Sequence, residues 1–180
     1  NERPLPLKSL DTEQRVILCS SFSKALSRDL RIGWISAGRW QQQVIRLKLT
    51  SHLASSQAVQ QGLADFLAEG HYKRHLQRFR IQLQHQRDQL INALQQYWQA
   101  ARFSVPHGGL ALWLELNPDI NCTEAYGKCL EKGIILTPGA LFSGSEQFRN
   151  CLRLSFANPM IGRRLVALQQ LAAILEGSCA

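Results

Sequence analysis

The sequence has no run of about 18 apolar residues, the length a helix needs to cross a bilayer, so nothing in it reads as a membrane span. Cysteine pairing is missing too. Cys19, Cys122, Cys129, Cys151 and Cys179 are odd in number and scattered, no C-x-x-C occurs, and no histidine lies close enough to complete a zinc pattern. That usage implies free thiols in a reducing cytosol and no metal site. His71 and His75 stand four apart, but two ligands on one helix make a weak site. Acidic residues are few. Asp and Glu number 13 against 21 Lys and Arg, a net charge of +8, which invites acidic partners and says nothing of fold. No internal repeat or low-complexity tract occurs. The chain starts Asn1-Glu2-Arg3-Pro4, with no initiator Met and no signal-peptide pattern, and reads as a piece cut from a longer protein. What is present is globular in composition: 180 residues, 45% hydrophobic and 19% charged, enough for one domain or one and a fragment.

The apolar runs Val16–Cys19 and Ile32–Gly38 predict two strands buried on both faces, joined by a polar loop, which is an α/β signature. From about Gln41 to Trp98 the pattern is helical. Leu76, Phe79, Leu83, Leu90, Leu94 and Trp98 recur at three- and four-residue steps or their sums. Gly62 and Gly70 interrupt it, Gly70-His71 marks a break, and the small polar stretch Thr50–Ser56 is expected to open the first helix. After a turn-rich stretch ending at Gly108-Gly109, Leu110–Leu116 predicts a strand. Thr123 is a candidate cap for a helix to about Lys132, stopped by Gly133. Ile134–Leu136 and Cys151–Phe156 predict strands. Gly162–Leu175 predicts an amphipathic helix with Leu165, Leu168, Leu171 or Ala172, and Leu175 on one side.

Lys24 is the first residue that could carry chemistry. It sits between two predicted strands, after Ser21 and Ser23 and ahead of Arg28 and Arg31. Nearby cations and partial burial free an amine's lone pair for imine formation. Small hydroxyls and a guanidinium suit a bound phosphate. An imine-forming amine beside a phosphate cup is the pairing pyridoxal phosphate demands. The plain alternative is a surface loop that happens to hold Lys and Arg. Arg153 lies inside the otherwise apolar strand Leu152–Phe156, where a charge needs a partner: either a structural ion pair or a ligand. Gly109 permits positive φ or close approach, and a simple turn explains it equally. The basic stretch Lys73, Arg74, Arg78, Arg80, Arg87 could bind nucleic acid, but no aromatic ladder or DNA-binding motif accompanies it, and a solvated helix face accounts for it.

Ser20-Ser21-Phe22-Ser23-Lys24-Ala25-Leu26, followed by Leu30-Arg31-Ile32-Gly33-Trp34, resembles the lysine segment of fold-type-I pyridoxal-phosphate aminotransferases. With Val16–Ser21, Pro138-Gly139-x-x-Phe142 and Leu152-Arg153-Leu154-Ser155-Phe156-Ala157, the chain is most similar to the aminotransferase-like C-terminal domain of MocR-type regulators in the GntR superfamily. Kynurenine/aminoadipate-type aminotransferases are close behind. The resemblance covers about Leu5 to Leu175.

The resemblance implies an α/β fold, the C-terminal part of a fold-type-I aminotransferase. Residues 1–48 would be the last strands of the large cofactor domain, 49–98 an interdomain helical segment, and 99–180 the small α/β domain. Lys24 would be the Schiff-base lysine. Ser21, Ser23 and Arg31 would hold the phosphate of pyridoxal 5′-phosphate, Arg153 the carboxylate of an amino-acid substrate or effector, with Gly109 on the substrate side. Arg28-Asp29 replaces the family's usual Pro-Gly or similar pair. The family's Asp for the pyridine nitrogen, its Tyr for the ring oxygen and its ring-stacking aromatic lie upstream of the lysine, and only 23 residues precede Lys24 here. Most of the cofactor domain, and any winged-helix DNA-binding segment, is thus expected outside this chain, which would hold the cofactor weakly or not at all. A cytoplasmic homodimer is implied, with the Thr50–Ser56 loop reaching toward the partner's site. Two whole-protein functions compete: a transcriptional regulator sensing the cofactor or an amino compound, and an enzyme moving an amino group between an amino acid and a 2-oxo acid. A basic interaction module without cofactor is the third.

Overall fold

One carboxylate fixes the chain ahead of the first strand. Asp11 accepts from the Val16, Arg15 and Glu13 amides at 2.8, 3.0 and 3.2 Å and pairs with Lys8 at 3.3 Å. The Val16 amide, against the opposing cost of burial and with help from Arg15 and Lys8, holds its carboxyl down to about 2. Lys8 Nζ also donates to Val16 O at 2.8 Å, so both polar groups of that residue are tied before the strand begins. The computed structural model describes residues 5–52, 54–145 and 147–177. The chain divides into two compact units, Asn1–Phe79 and Arg80–Ala180.

In the first unit, β1 (Leu18–Ser21) and β2 (Gly33–Ser36) pair antiparallel, with Leu18 opposite Ser36 and Ser21 opposite Gly33. Gly33 is required for that approach: a Cβ there would stand 2.6 Å from Ser20 O. The expectation of burial on both faces fails. Every residue of β2 is exposed, as are Cys19–Ser21, because the described residues supply only two strands to this sheet and do not bury either strand on both faces. Helices α1 (Gln41–His52) and α2 (Gln57–Ala68) follow, then α3 (His71–Tyr97), which runs on into the second unit. Gly70, at φ +71°, breaks the chain between α2 and α3 as expected, whereas α2 runs straight through Gly62. Thr50–His52 closes the first helix instead of opening it. The Thr50 and Ser51 hydroxyls donate back to Leu47 O at 3.0 and 2.6 Å, which terminal turns tolerate. Leu53 of that stretch lies outside the described residues.

The second unit is a three-stranded antiparallel sheet in the order β3 (Arg102–Phe103), β4 (Ala111–Glu115), β5 (Cys151–Ser155). Leu112, Leu114 and Leu152 from the sheet, Leu90 and Leu94 from α3 with Trp98 just past its end, and Leu168, Leu171 and Leu175 from α5 (Arg163–Glu176) form its core. Of the periodic positions of α5, Leu168, Leu171, Ala172 and Leu175 are buried as expected and Leu165 is partly buried against the same core; the later half of the α3 stripe is buried too. Between β4 and β5 lies α4 (Tyr126–Glu131), stopped by Gly133 at φ +71°. Thr123 does not cap α4, whose N-cap position is Ala125 with no side-chain cap; the Asn121 side chain instead holds the turn ahead of the helix, its Oδ1 accepting from the Thr123 and Glu124 amides at 3.0 and 3.3 Å. Ile134–Leu136 is not a strand. Ile134 and Leu136 are buried and Ile135 is exposed, so the alternation is present, but among the described residues the contact with β5 comes just past the segment, through a bridge of Pro138 to Leu152 and the Arg153 amide donating to Thr137 O at 3.0 Å. The four described cysteines are free. Burial, reinforced by Cys151 and Cys129, pushes the Cys122 thiol up to about 12, so it stays a protonated core residue.

Gly139 lets the segment after that bridge lie flat on β5. A Cβ there would stand 2.7 Å from both Cys151 Cβ and Phe148 O. Gly139→Ala is expected to destabilise the fold by about 1–3 kcal/mol, the range for overpacking a fitted site. Gly144→Ala, where an added Cβ meets nothing, is the control. Urea unfolding of the two variants checks it; equal midpoints would refute the tight fit.

Candidate functional site

The lysine loop grows out of the β1–β2 pairing. Past Ser21, the Phe22 amide donates to Ile32 O at 3.1 Å and the Leu26 amide to Phe22 O at 2.8 Å, closing a turn around Lys24. Ser21 Oγ accepts from the Ser23 amide at 3.1 Å and lies 3.5 Å from Ile32 O. Phe22 is buried and meets the ring of Tyr72 edge-on at 5.5 Å. His75 Nε2 lies 2.7 Å from Ala25 O, so that nitrogen carries the hydrogen and donates. The first turn of α3 thus pins both sides of Lys24 while leaving its side chain exposed, not partly buried as the sequence suggests. Sequence reasoning missed Tyr72 and His75; no local pattern links residues 50 apart.

Downstream, Ser27 Oγ accepts from the Asp29 amide at 3.3 Å and starts a 3-10 turn, Arg28–Leu30. Arg31 ends it in the left-handed region at φ 48° and is exposed. Among the described residues, Lys24, Arg28 and Arg31 form no ion pair, so this short segment carries three cations against Asp29. A recess of about 530 Å³, lined by Ser20, Phe22, Gly33, Leu63, Ala64 and Tyr72 among others, lies beside the loop, but Ser21, Ser23, Lys24 and Arg31 do not line it.

In the second unit Arg153 stands on the sheet face opposite the core. It is directly across from Trp113 in the β4–β5 register and is exposed, which answers the question of a buried charge. No described carboxylate pairs with it. Its guanidinium carbon lies over the Phe142 ring, 5.4 Å from the centroid. Trp113 meets Phe142 and Phe148 edge-on at 5.6 and 5.5 Å. Sequence reasoning missed this aromatic cluster, because the β4–β5 register that sets Trp113 opposite Arg153 is not encoded locally. Gly109 adopts φ +91°, with no atom near where a Cβ would be, so backbone conformation and not close approach explains it. On α3, Lys73, Arg74, Arg78 and Arg80 are exposed, a solvated face, while Arg87 pairs with Asp88 at 2.8 Å and donates to Pro106 O at 3.1 Å. Among the described residues no group of His, Cys, Asp and Glu could hold a metal ion, and no helix is long and apolar enough to cross a membrane.

Residues 4–168 match the family described as aminotransferase class I and II. The chain belongs to that family. Its fold is the C-terminal part of a fold-type-I aminotransferase, mixed helix and sheet, and such aminotransferases depend on pyridoxal phosphate. This aminotransferase-family chain is 35% identical over 97% of its length to YdcR, an uncharacterised HTH-type transcriptional regulator of Escherichia coli (strain K12), covering 38% of that protein. It is 32% identical over 94% of its length to a second such E. coli regulator, YjiR, covering 36% of it. Among solved structures it resembles LysN, the α-aminoadipate aminotransferase of Thermus thermophilus, with a TM-score of 0.85 and 27% identity, covering 98% of this chain and 47% of that one. The chain therefore spans a little over a third of the curated relatives it matches.

Proposed function

We propose that this chain is the aminotransferase-like C-terminal region of a GntR/MocR-type transcriptional regulator, which senses pyridoxal 5′-phosphate or an amino compound. The observation that carries the reading is the identity to YdcR along nearly the whole chain. In it, residues 1–48 belong to the large cofactor domain, 49–98 to the interdomain helices and 99–180 to the small domain. DNA contact belongs to a separate segment of the full-length protein, which works in the cytoplasm.

The donor set fits pyridoxal phosphate: an exposed amine with no ion-pair partner among the described residues, two hydroxyls and a guanidinium within eleven residues of one loop. When bound, the group supplies an aldehyde that captures amines and a ring that draws electrons from them. Lys24 is the amine that holds it. Ser21 and Ser23 donate to the phosphate, and Arg31 grips its oxygens with a planar fork. Arg153 takes the carboxylate of the amino compound, and Gly109 gives the adjoining turn its left-handed bend. Arg28 raises the positive potential over the phosphate while Asp29 moderates it.

The likeness to LysN favours a second reading, in which the full-length protein moves an amino group between an amino acid and a 2-oxo acid. Both are tested on the full-length protein by cofactor absorbance, retardation of its own upstream DNA, and turnover of the twenty amino acids with 2-oxoglutarate. A regulator takes up the cofactor, binds that DNA in a manner the cofactor or an amino acid alters, and turns over negligibly. Turnover without DNA binding supports the enzyme. No cofactor uptake overturns both and leaves the basic interaction module.

The 180-residue chain on its own is expected to sediment as a dimer or larger, with loosely held cofactor or none. Trp34, Ile35, Ile45, Leu47 and Leu49 leave apolar surface uncovered, and no further strand among the described residues pairs with the β1–β2 edges. A clean monomer, or a fragment tightly loaded with cofactor, contradicts this.

A further inference from the structure

We infer that Phe142 is a positioning residue for Arg153, and that recognition of a ligand carboxylate depends on an aromatic ring at position 142. The inference rests on the reading of Arg153 as the carboxylate grip. A long side chain on an open sheet face must be ordered before its fork can close on a carboxylate, and that ordering subtracts from affinity. An acidic neighbour would order it but would occupy the same N–H donors the ligand needs. A ring face orders it through the quadrupole and leaves those donors free. The Arg153 guanidinium lies over Phe142 at 5.4 Å and has no described carboxylate partner.

The ring is built into its place. Phe142 ends the 3-10 turn Gly139–Phe142, whose start is tied to β5 by the Pro138–Leu152 bridge and by Thr137 O accepting from the Arg153 amide itself. Gly139 then fits against Cys151 with no room for a Cβ. Phe148 takes a left-handed φ of 62°, uncommon for an aromatic residue, while its carbonyl accepts from the Cys151 amide at 3.0 Å. Trp113 supports both rings edge-on. Phe142 stays 50% exposed, so it adds little to the core, and a leucine there keeps an apolar side chain at small cost to packing. The ring face is what a leucine lacks.

The test uses full-length protein loaded with pyridoxal phosphate. It is titrated with the twenty protein amino acids, and then with the decarboxylated amine of whichever binds best. Phe142→Leu is expected to weaken that amino acid about 2- to 5-fold, the range for an exposed cation–π contact, and to leave the amine and the cofactor unaffected. Phe142→Tyr, which keeps the ring face, is expected to restore wild-type affinity. If Arg153→Lys leaves amino-acid affinity unchanged, or if wild type binds none of the twenty, the underlying reading of Arg153 falls. If Arg153→Lys weakens binding while Phe142→Leu does not, the role of Phe142 is overturned. It is equally overturned if Phe142→Leu weakens amine and amino acid alike, or if tyrosine fails to rescue.

Discussion

Lys24→Ala in the full-length protein is expected to abolish covalent capture of pyridoxal phosphate. Borohydride reduction of the wild type should fix a pyridoxyl label on the peptide that contains Lys24. The variant should carry none and lose the cofactor's visible absorbance. No other lysine has the same surroundings. Lys8 is tied to Asp11 and Val16 O, and Lys48 sits within helix α1 and not in a loop. An exposed lysine replaced by alanine changes stability by no more than about 0.5 kcal/mol, so loss of the label cannot be attributed to unfolding. A label that survives on another lysine would show the assignment to be wrong.

Arg153→Lys should weaken amino-acid binding roughly 10- to 150-fold, with cofactor affinity unchanged. Lysine keeps the charge but replaces a two-pronged planar fork with a single point donor. One charge-assisted hydrogen bond lost is worth about 1.5–3 kcal/mol, and each 1.4 kcal/mol is tenfold. The phosphate donors proposed for the cofactor lie between residues 21 and 31, far along the chain from β5, which is why the two affinities should separate. Titration of holo protein with amino acids, set against titration of apo protein with cofactor, measures both. An unchanged amino-acid affinity would leave Arg153 only its contact with Phe142.

Elements whose evidence is local were legible in the sequence. The apolar stripe from Leu90 to Trp98, the break at Gly70, the stop at Gly133 and the apolar run Leu110–Leu116 each encode their own geometry, and the structure follows them. Misreadings came where a partner decides. The runs Val16–Cys19 and Ile32–Gly38 carry the composition of a covered sheet, but the described residues bring two strands and no cover, so Ile17, Trp34 and Ile35 are exposed. Ile134–Leu136 alternates like a strand yet has almost no ladder to join. Thr123 is a cap-forming residue type, but α4 starts two residues later than that reading requires, with Ala125 at its N-cap. The lysine motif could be quoted from the sequence, but His75 reaching Ala25 and Phe142 beneath Arg153 depend on tertiary closure and register.

α1 is twelve residues long and has no buried residue. A helix of that length is marginal in water unless tertiary packing supports it, because its nucleus costs more than a few turns return. Ile45, Leu47 and Leu49 nonetheless stand out from it more than half exposed. In the isolated chain, then, coil-to-helix conversion of this segment and the covering of those side chains form a single linked equilibrium. Its helicity becomes a function of protein concentration: circular dichroism should gain helical signal as the chain is concentrated and lose it on dilution, at constant temperature and without denaturant.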